Sequence, residues 1–139
     1  MQLKLIFFIS QSKGNPMGFS GSFFANNNQL SIPRPLVWIF LNHSLEDYEL
    51  GQMARIMDMD FSVFAQMTPL FPGIGDAKPI SDVQACIQTW LQRLSPEVIA
   101  QVQPQVVDAE FLETELSAYL LSLQKWLQDQ EGEFQMSIF

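Results

Sequence analysis

Apolar residues in this chain gather into three short runs and several longer stretches with helical spacing. LKLIFFI at 3–9 is short, β-branched and aromatic, and reads as a strand. LVWIFL at 36–41 follows Pro33 and Pro35 and reads as a strand covered on both faces. The tail, EFQMSIF at 133–139, places Phe134, Met136 and Ile138 two apart, the period of a third strand.

Elsewhere the spacing lengthens towards 3.6. Ser44 and Asp47 resemble a capping box before a helix at 45–57, with Leu45, Tyr48, Met53, Ile56 and Met57 on one side and Gly51 weakening it. Ser81 and Gln84 form a second capping-box pattern, and Val83, Ile87, Trp90, Leu91 and Leu94 share a face, predicting a helix over 81–94. Ser95 followed by Pro96 starts a short helix, 96–103, which Pro104 ends. Asp108 caps a last helix expected over 109–130, with a stripe of Leu112, Leu116, Tyr119, Leu120, Leu123 and Leu127. Phe111, Leu121 and Trp126 widen that stripe beyond one face, so this helix is either central or shared with a second copy in a homodimer. Gly132 suits the stop.

The expectation is one α+β domain over 1–139: a three-stranded sheet from 3–9, 36–41 and 133–139, covered by three to four helices. Residues 10–29 are rich in Gly, Ser and Asn and read as a flexible loop. Met17 is an alternative start, which would make 1–16 an extension.

Charge sharpens the picture. The first 43 residues hold no acid and three cations, Lys4, Lys13 and Arg34; the rest holds all 15 acids against Arg55, Lys78, Arg93 and Lys125, for a net charge of −8. An acidic body repels nucleic-acid phosphates and favours a protein partner with a basic surface. Only five consecutive apolar residues, Leu5 to Ile9, follow Lys4, against roughly 7–15 in a secretory signal and about 20 in a membrane span. No membrane association is expected. A single cysteine, Cys86, allows no internal disulfide and fits a reducing, cytoplasmic setting.

The chemistry-bearing motifs are incomplete. FPGIGDAKPISDVQ at 71–84 has two glycines and a lysine, but lacks the Gly-Lys-Ser/Thr of a phosphate loop and the third glycine of a dinucleotide loop. It reads as the approach to a capped helix. GFSGS at 18–22 has its second glycine one place too early for a nucleophile elbow. One histidine, His43, and one cysteine, set on an apolar helix face, support neither a zinc site nor an obvious catalytic pair. Asp58 and Asp60 in MDMD are the candidate ligands for a hard cation, against the simpler use of Asp60 as a helix cap. No cofactor is implied.

Interaction features remain. Phe19, Phe23 and Phe24 are candidate aromatic anchors, either for a partner or for the chain's own core. Glu110, Glu113 and Glu115 are the candidate charged patch, with the helix dipole as their structural use. The tail is a candidate open sheet edge for strand addition, and Ser137-Ile138-Phe139 also resembles a ligand of PDZ domains. The leading expectation is a small acidic, non-enzymatic protein-binding module of adaptor, assembly-factor, inhibitor or immunity type. The alternative is a small metal-dependent enzyme or ligand-binding domain using Asp58, Asp60 and His43.

Overall fold

Gly21–Ala25 (β1) and Asn28–Ile32 (β2) form an antiparallel hairpin in the computed structural model of the protein, which describes residues 19–41, 48–60, 62–69 and 72–139. The turn is Asn26-Asn27, with Asn26 at φ 55°, a left-handed conformation asparagine tolerates well. It is tied to the far end of the chain: Asn26 Nδ2 donates to the Glu131 carbonyl, and Asn28 Nδ2 donates to Gln130 Oε1 at 2.7 Å. Gly132 beside them sits at φ 92°, and a Cβ there would lie 2.7 Å from Asn26 Oδ1. From Gly21 onward, therefore, the loop expected over 10–29 is paired sheet. Residues 10–18 lie outside the described part, as do the strand expected over 3–9 and the alternative start at Met17.

The strand expected over 36–41 is a helix, Arg34–Leu41 (α1). The Pro33 carbonyl accepts from Leu36 N and Val37 N at 3.0 and 3.1 Å, which opens the first turn. Pro35 sits where a helix needs no N–H, so the prolines that looked like strand flanks are a helix start. Leu36, Val37, Ile39 and Phe40 are all buried, so no polar face betrays the helical period.

Glu49–Met57 (α2) and Ser62–Met67 (α3) follow; the expected capping box at Ser44 and Asp47 falls outside the described residues. Gly73–Ile74 (β3) and Lys78–Pro79 (β4) are two short strands before Ile80–Arg93 (α4). Pro79 is the N-cap of α4 and no side chain caps it, so the Ser81–Gln84 capping box is not formed. Gln84 instead reaches across to donate to the Leu127 carbonyl at 3.2 Å. In Pro96–Gln101 (α5) the Ser95 hydroxyl accepts from Val98 N as expected.

The long helix expected over 109–130 is two helices, Ala109–Thr114 (α6) and Leu116–Gln128 (α7), joined at Glu115. Asp108 caps α6 by accepting from Phe111 N at 2.8 Å. Thr114 Oγ1 donates back to the Glu110 carbonyl at 2.7 Å, a competing bond of the kind that bends helices. The expected stripe holds across the Glu115 junction: Leu112, Leu116, Leu120, Leu123 and Leu127 are buried.

Glu133–Ile138 (β5) completes a sheet ordered β2-β1-β5-β3, with β4 pairing β5 beside β3, all antiparallel. The tail is thus the centre of the sheet and not its edge. Phe134, Met136 and Ile138 point into the core. A run of aromatic contacts carries the core outward from β5: Phe134 to Phe23 at 4.9 Å, Phe23 to Phe40 at 6.0 Å, Phe40 to Phe64 at 5.4 Å, and Phe64 to Trp90 at 5.8 Å. No helix among the described residues is long and apolar enough to cross a membrane.

Candidate functional site

Of the three candidate anchors, Phe23 takes the core role: it is fully buried and touches Phe40, Phe134 and Tyr119. Phe19 is half-buried, its ring 5.4 Å from that of Trp38, and Phe24 is half-buried on the opposite face of β1 from Phe23. The structure therefore offers no shared aromatic surface from these residues. The PDZ-ligand reading of the tail is also displaced, because Ile138 is buried and paired with both Gly21 and Gly73.

Glu110, Glu113 and Glu115 are exposed, and Glu115 has a distinctive setting. It rims a shallow groove of about 250 Å³ floored by Pro33, Phe111, Ala118 and Tyr119, with Thr114 and Ser122 beside it. Phe111 and Thr114 come from α6 and Ala118, Tyr119 and Ser122 from α7, and their three- and four-residue spacing keeps them on one face across the Glu115 junction. Tyr119 links the groove to the sheet by donating its hydroxyl to the Ser31 carbonyl at 3.3 Å. Burial raises the Tyr119 phenol above the usual tyrosine range, so it stays protonated as a donor.

The groove lies against an open strand edge. Ser20 and Phe139 exchange both backbone bonds, at 2.7 and 2.8 Å, which sets the phase of the ladder. Ser22 and Phe24 then turn their backbone groups to β5, and Gly21, Phe23 and Ala25 turn theirs to β2. On β2, Asn28, Leu30 and Ile32 consequently bond β1, while Gln29 and Ser31 direct N–H and C=O outward. Both are exposed, and among the described residues no strand pairs with that edge.

A buried polar latch holds α6 in place, and neither of its side chains stood out in the sequence. Glu49 is fully buried; its Oε2 accepts from the backbone N–H of Gln105, Val106 and Val107 at 2.8, 2.7 and 2.9 Å. Gln52, one turn on, donates to the Gln103 carbonyl at 2.9 Å and accepts from Gln103 N at 2.7 Å. Three converging N–H groups make a site for negative charge, here filled by the protein's own carboxylate. The segment so fixed runs directly into the Asp108 cap of α6.

Asp58 and Asp60, two of the three metal and catalytic candidates, stand between α2 and α3. Asp58 ends α2 in a left-handed conformation, φ 50°, and Arg93 Nη1 donates to the Met57 and Asp58 carbonyls at 3.1 and 2.7 Å. Asp60 Oδ1 accepts from Ser62 N at 2.9 Å, and Ser62's backbone and hydroxyl hold its carboxyl below the usual range. The bond ties Asp60 to the first residue of α3. No group of three His, Cys, Asp or Glu side chains suited to a metal occurs among the described residues, and His43 lies outside them. Cys86 is buried, and burial together with the charge of Asp60 pushes its thiol up to about 11.

Compared with known proteins, the chain matches no family model, no curated protein and no solved structure.

Proposed function

We propose that the protein is a small acidic protein-binding module, of adaptor, assembly-factor, inhibitor or immunity type, that takes a basic segment of another protein at the groove between β2 and the α6–α7 junction. The observation that carries this reading is Glu115 on the rim of an apolar floor of Pro33, Phe111, Ala118 and Tyr119. At about 250 Å³ the groove is smaller than the roughly 300–1,000 Å³ typical of small-molecule pockets, and it suits one anchoring side chain. The floor supplies apolar burial at the centre of the contact, and Glu115 with its neighbours supplies orientation and steering from the rim. A net charge of −8 extends the same preference over longer range.

The test compares tagged wild-type protein with Glu115→Lys and with Glu97→Lys, an exposed charge reversal on α5. Native mass spectrometry of material isolated from the host reads the result. A stoichiometric basic protein retained by wild type and Glu97→Lys and lost from Glu115→Lys supports the proposal. A complex indifferent to Glu115→Lys, or a bare chain carrying a metal or small-molecule mass, contradicts it.

A further inference from the structure

We infer that the partner segment binds as an extended strand added to the outer edge of β2, a mode that rests on the docking reading above and gives it a register. Three observations converge. Gln29 and Ser31 turn backbone groups outward along an edge that no described strand covers, and only the Ser31 carbonyl has a side-chain donor there. The groove opens beside this edge, because Pro33 follows β2 directly and Tyr119 touches Ser31. The Tyr119 hydroxyl, finally, is a loose occupant of the Ser31 carbonyl: 3.3 Å is longer than the ~2.7–2.8 Å usual between hydroxyl and oxygen.

A strand laid along β2 replaces that phenol with a backbone N–H and meets the free groups of Gln29. Its side chains alternate, so every second one turns to the side of the sheet where Leu30 and Ile32 meet the helices, and there the groove receives an apolar side chain. Charge selects the occupant. A second copy of this chain pairing edge to edge would bring a second Glu115-bearing acidic surface beside the first, whereas a basic segment meets Glu115 favourably. Charge and edge geometry together thus favour an extended segment of alternating basic and apolar residues from another protein.

The probe is a synthetic peptide of alternating lysine and valine, long enough to span the five residues of β2, with a glutamate-for-lysine twin as control. The full chain is titrated and amide exchange is read residue by residue. The expected result is slower exchange at Gln29 and Ser31, no change at Leu30, which already bonds β1, and no binding of the acidic twin. Gln29→Pro removes an N–H that β1 does not use, so it should leave the hairpin folded and weaken binding by about tenfold or more. A peptide N-methylated at alternate amides gives the same information without altering the protein: one phase of methylation abolishes binding and the other does not. Tyr119→Phe frees the Ser31 carbonyl and should tighten binding.

Peptide binding that perturbs Glu115 and Tyr119 without protecting Gln29 and Ser31, or that ignores the phase of methylation, overturns strand addition while the groove reading stands. Absence of binding by the lysine–valine peptide, together with a native complex indifferent to Glu115→Lys, overturns both. Amides of Gln29 and Ser31 already protected in the free monomeric chain assign the edge to another segment of the same chain and overturn the inference. Protection that rises with protein concentration assigns it to a second copy, with the same consequence.

Discussion

The Val106 amide donates to Glu49 Oε2 at 2.7 Å across 57 residues of chain, and the amides on either side of it converge on the same oxygen. The bond joins the start of α2 to the segment that launches α6. Truncation as Glu49→Ala takes the acceptor from three part-buried amides and should cost about 2–3 kcal/mol in urea unfolding. Glu49→Gln keeps an oxygen in place and should cost clearly less. Because the latch sets the position of α6, Glu49→Ala should also weaken partner binding at the groove.

Gly75 faces the end of α3, where a Cβ would lie 1.7 Å from the Met67 carbonyl oxygen. Its own amide donates to the Met136 carbonyl at 2.9 Å, and its carbonyl accepts from Gln135 Nε2 at 3.0 Å, so the backbone cannot step aside without breaking its links to β5. Gly75→Ala should lower stability by about 2–4 kcal/mol in thermal or urea unfolding, far beyond an ordinary surface change.

These two positions show where the sequence was readable and where it was not. Helices with one wet face announced themselves: the Leu112-to-Leu127 stripe and the Ser95 and Asp108 caps are where spacing and cap chemistry put them. So did β5, whose large apolar residues fall on alternate positions. In β1 the core-facing residues are Gly21, Phe23 and Ala25, two of them too small to mark a period of two, and Phe24 lies on the other face. The hairpin was therefore hidden in an Asn-rich stretch. In α1 the pattern failed for the opposite reason, because its less buried face carries the apolar Trp38 and Leu41 where a polar residue would have marked the helical period. The helical side of the groove has ordinary three- and four-residue spacing, but the groove also needs Pro33, at the end of β2, to arrive beside it, a long-range juxtaposition that no local spacing encodes. Glu115 was legible as a charge. Its rim position was not.

Arg93, in the last turn of α4, donates to two carbonyls at the end of α2, those of Met57 and Asp58. The side chain is largely exposed, so Arg93→Ala should cost only about 1 kcal/mol, read as a shift of the urea midpoint. Amide exchange should show fraying confined to the last turn of α2.

Cys86 supplies a pH dependence of known sign. Its thiol rises from an ordinary 9.0 to about 11 in the folded chain, through burial first and the Asp60 charge second. The folded state keeps this proton where the unfolded chain has lost it. The resulting contribution to stability is complete below pH 9 and disappears as pH climbs from about 9 to about 11. Denaturation midpoints for wild type should fall across that window more steeply than for Cys86→Ala. At pH 8 iodoacetamide should modify the unfolded chain rapidly and the native chain slowly.

Ala118 on the groove floor offers the most direct test of the docking account. A photo-crosslinking residue placed there, with a matched control at exposed Ala100 on α5, reports what the groove touches in the host cell. The expected result is one crosslinked partner from position 118, joined through a basic segment, and no such product from position 100. Crosslinks from 118 only to the chain itself, or an identical product from both positions, would contradict it.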